Sequence, residues 1–377
     1  MIPRLLRARI TEQLLAGGKL IVIYGARQVG KTTLVRQVLD DLPYRNLVIN
    51  ADELRYTEVL SSRDMRRLRG LVEGYELLFV DEAQRIPEIG VNLKLLIDQL
   101  PHLRIVVTGS SSLDVASKVQ EPLTGRAWIH QLYPISMSEL AGLHNRFELD
   151  DMLEERLVYG SYPEMFALAG DTQRREYLRN LADSYLYKDV LEIGGVRHSN
   201  KLRNLVRLLA FQIGQEVSLA ELGGQLQMSK ETVASYIARL EQAFVVFRLG
   251  GFSRNLRKEV SQQDKIYFWD LGVRNVTIDN LKPLSERNDA GALWENFVIV
   301  ERQKWLHYRQ TLASLFFWRT YTGAEIDVVE ERGGGLYAYE CQWGKSRGRV
   351  PASILAAYPG ASFEVITREN YQAYLGV

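Results

Sequence analysis

The stretch LIVIYGARQVGKTTLV, from Leu20 to Val35, constrains this chain more than any other. An apolar run precedes a glycine loop, and Leu34, Val35 and Val38 follow at helical spacing. That order predicts a buried strand, a turn and a helix. Gly25, four further residues and Gly30-Lys31-Thr32 fit the phosphate-loop pattern G-x-x-x-x-G-K-[ST]. The glycines let the backbone curl, so that the segment Gly25, Ala26, Arg27, Gln28, Val29, Gly30, Lys31, Thr32, Thr33 can aim several N–H groups at one anion. The helix that begins near Lys31 adds its positive N-terminal end. Lys31 then supplies a point charge to the β- and γ-phosphates of ATP or ADP, and Thr32 a hydroxyl ligand for Mg²⁺.

A second apolar run, Leu77-Leu78-Phe79-Val80, ends in Asp81 and Glu82. Asp81 would hold Mg²⁺, through water or directly, as the second ligand on the metal side. Glu82, one residue on, points elsewhere and can orient and deprotonate a water. A kinase that hands phosphate to a bound substrate does not need this second carboxylate; a hydrolase does. A third run, Leu103 to Val107, leads into Thr108-Gly109-Ser110. A small hydroxyl there can sit between the two loops and reach the γ-phosphate or the attacking water, and Thr108 and Ser110 are equal candidates. Arg126, after a short glycine turn, is either an arginine finger for a neighbouring subunit or an ordinary surface arginine.

The ordered set GARQVGKTT, LLFVDEAQ, VVTGSSS, LTGR and YPISMSEL resembles a family of prokaryotic AAA-type ATPases whose C-terminal half is of unknown function. The resemblance continues through Gly160-Ser161-Tyr162-Pro163-Glu164, Tyr187-Lys188-Asp189 and KIYFWDLGVRN from Lys265, and so covers nearly the whole chain.

Length and pattern together predict several cores: 377 residues exceed one ordinary domain. The expected fold is α/β, a P-loop NTPase with a parallel sheet and helices on both faces over residues 1–150. Strands are expected near 20–24, 46–50, 77–81, 104–108 and 128–133. A helical lid (151–195), a winged-helix domain (196–275) and a small α/β nuclease-like domain (276–377) are expected to follow. A single cysteine, Cys341, excludes an internal disulfide and suits a cytoplasmic protein. No apolar run approaches membrane-spanning length, and the five histidines show no zinc spacing.

Three helices and a strand pair over residues 196–275 have the pattern of a winged helix. Lys201 to Gln212 carries an apolar stripe, Ser218 opens a second helix and Ser229 caps a third. On the third, Val233, Ile237, Leu240 and Phe244 are expected on one face, with Lys230, Ser235 and Arg239 on the other. A basic turn through Arg254, Arg257 and Lys258 follows. From Arg197 to Val260, ten basic residues face five acidic ones, an excess that suits phosphate contacts beside a helix in the major groove. The same module also serves as a protein-binding unit.

In the last hundred residues, Glu295 lies on a helix, Asp327 on a strand, and Glu340 and Gln342 on the next strand. This arrangement resembles PD-(D/E)XK nucleases, in which the carboxylates hold Mg²⁺. The resemblance implies a second Mg²⁺ site at Glu295, Asp327 and Glu340, but Gln342 stands where the lysine should be. The expectation is a Mg²⁺-dependent ATPase that binds duplex or branched DNA through its C-terminal half and self-associates into a ring or other homo-oligomer. The alternative is a nucleotide-controlled signalling or defence switch with slow turnover and a protein partner.

Overall fold

A computed structural model describes residues 2–110, 123–183, 199–253, 263–320, 323–344, 354 and 357–377. Two compact units divide the chain: Met1–Pro134 with Gln242–Phe244, and Ile135–Glu241 with Val245–Val377.

In the first unit the order is α1 (Leu6–Ala16), β1 (Leu20–Tyr24), α2 (Lys31–Asp40), β2 (Asn46–Asn50), α3 (Leu54–Leu60), α4 (Met65–Val72), β3 (Leu77–Asp81), α5 (Ile89–Gln99), β4 (Arg104–Gly109) and β5 (Ala127–Gln131). The five strands form one parallel sheet in the order β2-β3-β4-β1-β5. Interior strands of such a sheet are covered on both faces, so they read as unbroken apolar runs rather than alternating ones. β1 and β3 are buried at their first four positions; edge strand β2 buries only Ile49. One core joins Val22, Leu78, Val80 and Val107 to Leu93 and Leu96 of α5. The expected α/β sheet is thus present at the expected positions, with the fifth strand at 127–131.

The strand order matters for chemistry. β4 lies between β1 and β3, and Ile23 and Tyr24 pair with Thr108 and Gly109. The carboxyl ends of β1, β4 and β3 therefore form one rim, the place where open α/β sheets bind ligands.

The second unit opens with two short capped helices. Ser136 with Glu139, and Asn145 with Glu148, make reciprocal capping boxes for α6 (Met137–Leu140) and α7 (Arg146–Tyr159). The boundary expected at residue 150 falls inside α7. Helix α8 spans Asp171–Leu181. Helices α9 (Ser199–Phe211), α10 (Leu219–Leu226) and α11 (Lys230–Gln242) then lead into the antiparallel pair β6 (Val246–Leu249) and β7 (Lys265–Phe268). Ser218 and Ser229 cap α10 and α11 by accepting from the N–H groups of Glu221 and Thr232. Phe244 is not on the α11 face: the helix ends at Gln242, and Phe244 takes φ 58°, which turns the chain out of the helical path.

Helices α12 (Leu271–Thr277) and α13 (Ala290–Tyr308) precede a second sheet of β8 (Ala313–Arg319), β9 (Glu325–Arg332), β10 (Gly335–Cys341) and β11 (Ser362–Ile366), ordered β11-β10-β9-β8, and α14 (Tyr371–Tyr374). Only β10 and β11 run parallel.

Motif residues of this unit interlock. Ser161 donates its N–H to Asp270 at 2.7 Å, and Asn275 donates to the carbonyls of Leu157 and Val158 at 2.9 and 2.8 Å. Gly160 has φ 76°, and a Cβ on it would overlap the Asp270 carboxylate. Nearby, buried Glu301 accepts from the Met137 N–H (2.6 Å), Arg156 (3.2 Å) and Lys304 (2.8 Å). The stretches GSYPE and WDLGVRN are therefore a packing device in which buried polar groups satisfy one another.

Candidate functional site

The Gly25–Thr33 loop leaves the end of β1 and winds into α2. Gly25 has φ 153° and Gly30 φ 93°; a Cβ on Gly25 would overlap the Leu132 carbonyl, so only glycine fits there. Gly30 starts α2 without a side-chain cap, which leaves the first-turn N–H groups for a ligand. Lys31 is buried, and its ammonium donates to the carbonyls of Gly25 (2.9 Å) and Ala26 (2.8 Å) inside the loop. Ala26 and Val29 are buried, Arg27 is half-buried, and Gln28 and Thr33 are exposed.

Across the rim, Thr32 Oγ1 donates to Asp81 Oδ2 at 2.8 Å. Thr108 Oγ1 donates to the other carboxylate oxygen of Asp81, and accepts from the Glu82 N–H at 3.3 Å. Thr108 is thus separated from Ser110: the first braces the β3 carboxylate, and the second accepts from Gln84 Nε2 at 2.9 Å. Glu82 takes φ 56°, outside the strand, so its side chain leaves in a different direction from that of Asp81. Gln84 Nε2 also donates to Glu82 Oε2 at 2.5 Å. A hydroxyl and a carboxylate that meet at a phosphate loop are hard oxygen donors, the set that suits Mg²⁺.

Residues 17–141 match the model of an AAA domain. With its parallel sheet and glycine loop, the first unit has the fold of a P-loop NTPase. Residues 150–284 and 290–373 match two domains of unknown function (DUF8612 and DUF4143). An uncharacterized protein of Mycobacterium tuberculosis is 29% identical over 323 residues, covering 85% of this chain and 69% of its own. One of Methanocaldococcus jannaschii is 24% identical over 319 residues, covering 78% and 69%. Among solved structures, the Walker-type ATPase of Pyrococcus abyssi superposes with a TM-score of 0.52 at 15% identity, covering 74% of this chain and 96% of its own.

Sequence reasoning missed two residues of the P-loop rim. Arg4 is buried, and donates to the Val29 carbonyl inside the loop and to the Tyr133 carbonyl, both at 2.6 Å. Nothing in its local sequence marks it, because both partners are distant in the chain. Gln84 stands in the DEAQ stretch, but its bond to Ser110 depends on strand order. Arg126 pairs with Asp98 of its own domain at 2.7 Å, half-exposed.

The expected nucleic-acid residues divide. Lys230 and Ser235 are exposed on α11 and Arg239 is half-buried. Arg254, Arg257 and Lys258 lie outside the described residues, as do Tyr187-Lys188-Asp189. Part of the basic excess is met internally: Arg203 pairs with Asp183 (3.5 Å), and Arg248 with Glu241 (3.1 Å) and Asp264 (3.9 Å).

Glu295, Asp327 and Glu340 each make a separate contact. Among the described residues no three His, Cys, Asp or Glu side chains are grouped to hold a metal ion. Glu295 faces Lys265 and Tyr267, Asp327 accepts from the Cys341 N–H (2.7 Å), and Glu340 accepts from Gln342 Nε2 (3.1 Å). Burial, then the Glu295 charge, pushes the Asp327 carboxyl up to about 7. Burial pulls the Lys265 ammonium down, but Glu295 and Glu325 outweigh it and hold the group above its ordinary range. Burial, then the Asp327 charge, raises the Cys341 thiol above its ordinary range. No helix among the described residues is long and apolar enough to cross a membrane.

Proposed function

We propose that this chain is a Mg²⁺-dependent ATPase that binds, and remodels, DNA through its C-terminal half. The observation that carries the ATPase reading is the hydrogen-bonded chain Thr32–Asp81–Thr108–Glu82 across the first turn of α2 and the ends of β3 and β4. Lys31 and the loop N–H groups bind the β- and γ-phosphates, and release of the Lys31 ammonium from the loop carbonyls frees it for them. Thr32 and Asp81 would hold Mg²⁺, which supplies charge neutralisation between the phosphates. Glu82 orients a water and takes its proton, in line with the direction in which its backbone turns. Ser110 and Thr108 position the γ-phosphate side of the rim.

DNA contact is supported by the helix–helix–helix–strand–strand order of α9 to β7, the winged-helix pattern, and by exposed Lys230 and Ser235 on its third helix. This reading counts Arg254, Arg257 and Lys258, by their charge, among the DNA contacts. Self-association follows if Arg126 leaves Asp98 for a neighbour's γ-phosphate. The cytoplasm is the compartment this reading requires. The test is ATP turnover with Mg²⁺ at fixed salt, without DNA and then with single-stranded, duplex and branched DNA. Stimulation by one form supports the reading; a rate indifferent to all of them removes its DNA half.

One observation favours a second reading, a slow nucleotide-controlled switch. Gln84 ties the Glu82 carboxylate to Ser110, which restrains the base and lowers basal turnover. A purified protein that retains ADP through gel filtration would favour it.

A further inference from the structure

The carboxylate cluster of the C-terminal unit already contains a cation. Lys265 Nζ, on β7, lies 2.5 Å from Glu325 Oε1 and 3.3 Å from Glu295 Oε1, with its side chain only 2% exposed. The Phe317 ring lies 5.4 Å away and closes one side with its electron-rich face. Tyr267 donates to the same Glu295 oxygen at 2.5 Å. Among the described residues, Glu325 also pairs with Arg319, at 3.9 Å and half-exposed, which in turn pairs with Glu216 at 3.4 Å.

Glu295 is 16% exposed and Glu325 34%, and carboxylates brought to one point repel one another unless a positive charge stands between them. A divalent ion is one solution and a protein ammonium another. In the PD-(D/E)XK arrangement the lysine follows the second hairpin carboxylate and stands beside the metal. Here that position is Gln342, which is turned to Glu340. The ammonium comes instead from a strand outside the hairpin and bridges two carboxylates itself. Asp327 and Glu340, which would complete a metal shell, are each engaged by a neighbouring N–H donor.

We propose that the Lys265 ammonium occupies the place of a divalent cation among Glu295, Glu325 and Asp327, so that this unit binds no Mg²⁺ or Mn²⁺ there and does not cut DNA. The cluster then serves as an ion-paired joint between β7, α13 and β9.

The test is Mn²⁺ binding to the nucleotide-free full chain, read from the loss of the free-ion EPR signal. Asp81→Asn removes the oxygen pair of the P-loop from the count. In that background, no stoichiometric Mn²⁺ is expected. Adding Lys265→Met, which keeps the stem and removes the charge, should create one Mn²⁺ site, with affinity raised at least about tenfold. A stoichiometric Mn²⁺ in the Asp81→Asn protein would overturn the proposal, as would a folded double variant that gains none. If the double variant does not fold, the Asp81→Asn titration decides alone. Mn²⁺-dependent nicking of supercoiled DNA by the unmodified protein would also contradict it.

Discussion

Two carboxylate clusters, one in each unit, show how the same residue types can be poised or spent. Asp81 and Glu82 are half-buried at a sheet rim, and neutral hydroxyl and amide groups donate to them. Neutral donors orient a carboxylate without cancelling its charge, so the charge remains for a metal or a proton. Glu295 and Glu325 sit against an ammonium that is itself almost wholly buried. An ion pair in that setting satisfies its own charge and has little left for a ligand. Carboxylates on strand ends therefore do not announce a metal site; the neighbour decides.

The largest effect on nucleotide binding is expected at Lys31. Replacing it by alanine should weaken nucleotide binding by about 2–5 kcal/mol, enough to abolish it at ordinary concentrations, in a fluorescent-nucleotide titration. Unaltered binding would break the poised half of the comparison. A second carboxylate held by buried cations extends the spent half: Glu301, which faces both Arg156 and Lys304 in the core. Glu301→Ala should cost about 3–5 kcal/mol in urea unfolding, because two buried cations lose their partner. A loss under about 1 kcal/mol would mean that the buried pairs are not as dry as they look.

Gln84→Ala tests the restraint on Glu82. Basal ATP turnover should rise a few-fold, by roughly 1 kcal/mol in the barrier, with little change in KM. A fall would make Gln84 a positioning residue for the water instead. The smallest effect is expected at Arg126, whose pair with Asp98 is half-exposed. Arg126→Ala should alter unfolding by no more than about 0.5 kcal/mol. If it acts as a finger, turnover per chain will nevertheless fall at high protein concentration.

The parallel sheet was legible because its signals are local. Leu20–Tyr24 and Leu77–Asp81 are unbroken apolar runs that end in loop chemistry, and no distant partner is needed to recognise them. The helix caps at Ser218 and Ser229 were legible for the same reason. Choosing between Thr108 and Ser110 required knowledge that β4 lies between β1 and β3, which is a property of strand order. The contacts of Arg4 with Val29 and Tyr133 have no sequence signature at all. Lys265 sits in KIYFW, where a strand lysine reads as an exposed residue, and only the approach of α13 and β9 turns it inward. At Phe244 the helical period ran on past the end of the helix, because apolar spacing cannot see a single residue that turns left-handed.

The most direct measurement is steady-state ATP hydrolysis by Glu82→Gln beside the unmodified protein, with nucleotide binding measured on both. The account predicts Mg²⁺-dependent turnover that falls about 10²-fold or more in the variant, with binding retained. Equal rates would contradict it, since the base would then lie elsewhere and the poised site would not be the one that hydrolyses ATP.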